Sequence, residues 1–75
     1  MGDNLCEWEK RVLEERDALR RKIETLYYFI ESDSFKGLDE GTQRLLDRQF
    51  DAMQEYSITL GLRIVRSQML KCLGV

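Results

Sequence analysis

The sequence predicts an all-α protein: an antiparallel helical hairpin of two long helices that assembles into a homo-oligomeric helical bundle. Three observations carry that prediction. Leu5, Trp8, Val12, Leu19, Ile23, Leu26 and Ile30 recur at helical spacings, and a second stripe runs through Leu46, Phe50, Met53, Ser57, Leu60 and Ile64. Between them lies the break Phe35-Lys36-Gly37-Leu38-Asp39. Apolar residues at this period line one side of an amphipathic helix, and two such helices joined by a short turn form an antiparallel hairpin. A hairpin has a thin core, and this chain carries more apolar surface than such a core hides. Assembly with further copies is the first functional expectation.

The elements follow in order. Asp3 or Asn4 is suited to cap the first helix, because a short side-chain oxygen accepts from the exposed backbone N–H groups. Glu7 and Glu9 sit in or near the first turn, the favourable end for negative charge. The chain has no proline, so nothing forces a kink, and the first helix is expected over residues 4–34. The turn spans 35–39, with Gly37 in the left-handed position that ends helices. Asp39 caps the second helix, which runs over 40–72, and the 75 residues form one domain. The hairpin then sets Ile30 near Leu46, Leu26 near Phe50, Ile23 near Met53, Leu19 near Tyr56 and Ser57, and Val12 near Ile64. At the open end Leu5 and Trp8 meet Met69, Leu70 or Cys72. Cys6 and Cys72 come to one level, either as a disulfide or as two free thiols, the default in a reducing cytosol.

Three places depart from a simple two-helix pattern. Tyr27-Tyr28-Phe29-Ile30 is a continuous apolar run that wraps around its helix. Ile58, Leu60, Leu62, Ile64 and Val65 do the same on the second helix, and a helix apolar all round is a buried one. Ser57 and Gly61 are small residues four apart; an interior glycine costs about 1 kcal/mol against alanine and fits where another group approaches closely.

Composition narrows the chemistry. There is no histidine, and two cysteines stand near opposite ends of the chain without metal-ligand spacing. The commonest general base and the His-activated nucleophiles are thereby removed. Glu14-Glu15 and Asp39-Glu40 are adjacent pairs that diverge on a helix. No enzyme activity, metal or cofactor is expected. A net charge of −2 with mixed signs argues against DNA or RNA binding, which needs a strongly basic face. No run approaches the about 18 apolar residues of a membrane span. The N-terminal segment lacks a signal-peptide apolar region. Gly2 is followed by Cys6 where a myristoylation motif has Ser or Thr. A cytoplasmic location is expected.

From Tyr28 to Ile64 the pattern becomes more specific. It reads Phe29-Ile30-x-Ser32-x-x-Phe35-x-x-Leu38, then Leu45-Leu46-x-x-Gln49-x-x-Ala52-Met53-x-x-Tyr56-x-x-x-Leu60-x-x-Arg63-Ile64. This resembles a family of very small phage-encoded helical-hairpin proteins with the same Ser-x-x-Phe-x-x-Leu joint and Gln-x-x-Ala-Met-x-x-Tyr second helix, and the resemblance covers about half the chain. In size, hairpin layout and an aromatic-then-Arg second helix the chain is also similar to phage anti-defence sponges. Those proteins oligomerise and trap the cyclic nucleotide signals of bacterial immune systems such as CBASS and Thoeris. The resemblance implies a non-catalytic sponge in the cytoplasm of an infected bacterium, with pockets at protomer interfaces. Its ligand would be a cyclic dinucleotide or a cyclic ADP-ribose isomer.

Such a ligand needs donors for phosphate and flat groups for bases. Arginine supplies bidentate donors and a stacking plane. Tyrosine supplies a stacking face worth about 1–3 kcal/mol per base. Arg63 and Arg66 are three apart on the second helix and Arg16 and Arg20 four apart on the first, near the level of Tyr56; Arg44 and Arg48 lie near the joint, at the level of Tyr27 and Tyr28. The candidate ligand-binding residues are therefore Arg63, Arg66, Tyr56, Arg16, Arg20 and Tyr28. The competing reading is a small interaction module that docks a host or phage protein on its excess apolar face, with the arginines as solvated surface charges.

Overall fold

The computed structural model describes residues 6–72, with side chains through residue 70. Helices α1 (Glu7–Ile30) and α3 (Glu40–Cys72) run antiparallel and are joined through a single helical turn, α2 (Asp33–Lys36). No strand occurs among the described residues. The molecule is a rod of 54 × 19 × 15 Å with a radius of gyration of 16.8 Å, against about 11 Å for a compact domain of this length. No helix among the described residues is long and apolar enough to cross a membrane.

Helix α1 opens with the Cys6 N–H donating to the Glu9 carboxylate at 2.8 Å. The expected caps Asp3 and Asn4 lie outside the described residues, as does Leu5. The helix predicted to reach residue 34 stops at Ile30. Ser32 explains the early end. Its backbone is extended at φ −87° and ψ 163°. Its hydroxyl donates to the Phe29 carbonyl at 2.5 Å and accepts from the Phe35 N–H at 3.4 Å. A serine side chain that satisfies local backbone groups competes with helix continuation and caps the next turn instead. Helix α2 then buries Phe35 edge-on against Phe29, with ring centroids 6.2 Å apart.

Gly37 is also not as predicted. Its φ of −80° and ψ of −7° are right-handed, a conformation open to any residue. The joint is closed by a side chain instead. The Gln43 amide donates to the carbonyls of Phe35 at 3.0 Å and Leu38 at 2.9 Å. Asp39 caps α3, accepting from the Thr42 N–H at 3.0 Å and the Thr42 hydroxyl at 2.7 Å.

The contact seam follows a strict alternation of threes and fours. On α1 it runs through Glu9, Val12, Arg16, Leu19, Ile23, Leu26 and Ile30; on α3 through Leu46, Phe50, Met53, Ser57, Leu60, Ile64 and Ser67, every one of them buried or half-buried. This is the heptad spacing of an antiparallel coiled coil. The seam is apolar near the joint and gains polar layers toward the open end. Leu60 and Glu9 are fully buried. Glu9 accepts from the Ser67 hydroxyl and from the Gln68 amide at 3.3 Å. Trp8, one residue outside the seam, stays 43% exposed. Its ring carries the Arg63 guanidinium 5.9 Å from the centroid, an attraction of cation to π face. Cys6 is an exposed free thiol; the side chain of Cys72, its expected neighbour, lies outside the described residues.

Candidate functional site

A heptad seam leaves two flanks, each contributed by both helices. One flank carries the larger groove, about 790 Å³, within the about 300–1,000 Å³ common for ligand sites. Its α1 wall includes Arg20, Arg21, Glu24, Tyr27 and Tyr28, and its α3 wall Gln54, Ser57 and Ile58. Phe50 and Ile23 form the floor, where the seam side chains surface. Tyr27 packs 6.1 Å from Phe50 and holds Tyr28 edge-on at 5.7 Å. Tyr28 stays 64% exposed. The groove therefore has aromatic faces at one end and guanidinium groups at the other. A second groove of about 530 Å³ lies between Lys22, Thr25, Phe29, Gln49 and Met53.

The opposite flank holds Trp8, Glu15, Tyr56 and Arg63. The Tyr56 hydroxyl donates to the Glu15 carboxylate. That hydrogen bond raises the phenol above its ordinary value, with partial burial adding to it, while the nearby Arg63 charge pulls the other way. Here the cation is engaged by Trp8 and the phenol by Glu15.

The six predicted ligand residues are thus distributed over four places. Arg20 and Tyr28 share the large groove. Arg63 and Tyr56 share the opposite flank. Arg66 is exposed on the outer side of α3. Arg16 lies in the seam itself, its guanidinium against Gly61. The close approach expected at Gly61 is therefore made from within the chain. Tyr27, Gln54 and Ile58 complete the groove and were not among the predicted ligand residues. Their signal was available in the heptad: Arg20, Tyr27 and Gln54 occupy equivalent flanking positions, one step outside the seam.

Fold and groove define a class: a helical hairpin with an aromatic-and-arginine groove along one flank. A family model described as Sequestin matches residues 7–66, and the chain belongs to the Sequestin family. No curated protein and no solved structure matches it.

Proposed function

We propose that the protein binds a cyclic nucleotide immune signal and holds it without cleaving it, acting as a phage anti-defence sponge and as a homo-oligomer. The observation that carries this reading is the groove that joins Arg20 to Tyr27 and Tyr28. Guanidinium groups bind phosphate in a bidentate fork, and an exposed phenol stacks on any base. The partly apolar floor strengthens the phosphate contact by displacing water. The family name supports sequestration of a molecule, and the resemblance of the joint and second helix to phage hairpin proteins supports the source. The chain has no histidine, in keeping with binding in place of turnover.

Calorimetry and thermal shift against cyclic dinucleotides, cyclic ADP-ribose isomers and mononucleotides test the proposal. Binding raises the melting temperature, by about 2.7 kcal/mol of stability at a hundredfold excess over Kd. Tyr28→Ala loses about 1–3 kcal/mol of affinity. Arg20→Lys binds better than Arg20→Ala but worse than the parent, because lysine keeps the charge and loses the planar fork. Heating the complex releases the nucleotide unchanged. A cleaved product would make the protein an enzyme. Failure of every nucleotide to bind would favour the protein-docking reading, which rests on the exposed apolar side chains of α3.

A further inference from the structure

The outer face of α3 carries a second heptad stripe. Ile58, Leu62, Val65 and Met69 are 59%, 62%, 53% and 59% exposed. They follow one another at steps of four, three and four, the same alternation that builds the intramolecular seam, and these four positions carry no charge. Upstream the same stripe continues through Asp51 and Glu55.

We propose that a second copy of this chain packs antiparallel on this stripe. Ile58 then lies against the partner's Met69, and Leu62 against the partner's Val65. This deepens the oligomeric part of the reading above and rests on it. Three observations select this occupant. First, the stripe reads the same in both directions, so a two-fold axis between Leu62 and Val65 matches each knob to a partner, the requirement of an isologous interface. Second, the orientation follows from charge. A parallel pair stacks Glu55 on Glu55 and Asp51 on Asp51, whereas an antiparallel pair carries these carboxylates beyond the apolar layers. Third, all four side chains of the stripe stay more than half exposed, and a contiguous apolar stripe that its own chain leaves uncovered is what an interface between copies hides. Ile58 belongs to both the stripe and the large groove, so the partner's Met69 forms part of the groove rim and the site is completed by assembly.

The test has two arms. Sedimentation of the full chain at micromolar concentration should give a mass of two chains or a whole multiple. Leu62→Glu should weaken association by about a hundredfold or more, because it places an unpaired charge in the seam. In a Cys6→Ser/Cys72→Ser background, Ile58→Cys with Met69→Cys should cross-link into a covalent dimer on mild oxidation. Ile58→Cys alone should not, since antiparallel packing separates the two copies of that residue by about 16 Å along the axis. The cross-linking arm decides the matter even where Leu62→Glu fails to fold. A folded monomer, or a dimer linked by Ile58→Cys alone, overturns the proposal. A monomer that still binds nucleotide would overturn this seam and leave sequestration standing. A dimer that binds none would do the reverse.

Discussion

The guanidinium of Arg16 lies across Gly61. A Cβ built on Gly61 would stand 3.5 Å from both the Cζ and the Nε of Arg16. The Arg16 Nε is buried and has no hydrogen-bond partner. An arginine thus occupies a seam position, and the missing side chain opposite makes room for it. Both residues carry a cost. The helical glycine costs about 1 kcal/mol against alanine, and an unsatisfied buried donor about 1–3 kcal/mol. Two local costs in one layer mark a place where stability has not been maximised.

Gly61→Ala should therefore stabilise the hairpin. The new methyl meets Arg16 at ordinary contact distance, so the gain in helix propensity survives, about 0.5–1 kcal/mol. Urea denaturation measures it; a loss of stability would show that the layer has no room for a methyl.

Arg16→Met should also raise stability, by about 1 kcal/mol. An unbranched apolar chain fills the seam position and removes the orphan donor. If Arg16 also reaches the groove ligand through its neighbour Arg20, the same variant binds nucleotide more weakly. Calorimetry beside the melt separates the two effects.

Glu9→Ala should destabilise the open end. It removes the acceptor of three part-buried hydrogen bonds, from the Cys6 N–H, the Ser67 hydroxyl and the Gln68 amide, at about 1–3 kcal/mol for hydrogen bonds to a charged group. Hydrogen exchange should rise first in the amides of the first two turns of α1. Uniform acceleration along both helices would mean that this end does not open separately.

Asp39 should make the start of α3 acid-sensitive. The Thr42 hydroxyl, and then the Thr42 N–H, hold its carboxyl below the ordinary 3.8. A depressed native value means that the unfolded chain takes up the proton first. The stabilisation is present in full above the unfolded value and disappears as pH falls through the native one. Asp39→Asn should lower the melting temperature at pH 7, and its difference from the parent should shrink below about pH 4.

The two long helices and their pairing were legible because the seam repeats at three and four residues for most of its length, and a heptad pattern determines which side chains face a neighbour. Asp39 as a cap was legible because its mechanism is local. Ser32 was misread for a related reason: a serine serves equally inside a helix or as the cap of a new one, and only the burial of Phe35 selects the cap. Gly37 was misread because glycine permits a left-handed turn without requiring it. Gln43 decides the joint by reaching carbonyls on the preceding elements, which no local pattern records.

The sequence by itself determined the hairpin, its register and the chemistry available to a ligand: arginine and tyrosine without histidine. Only the tertiary structure decided how those groups are shared out. Arg20, Tyr27 and Tyr28 meet in one groove, Arg63 is held on Trp8, and Arg16 is taken into the seam. The physical reason is that a flank is built from two helices at once. Periodicity assigns a residue to a face of its own helix, and packing alone sets what stands across from it.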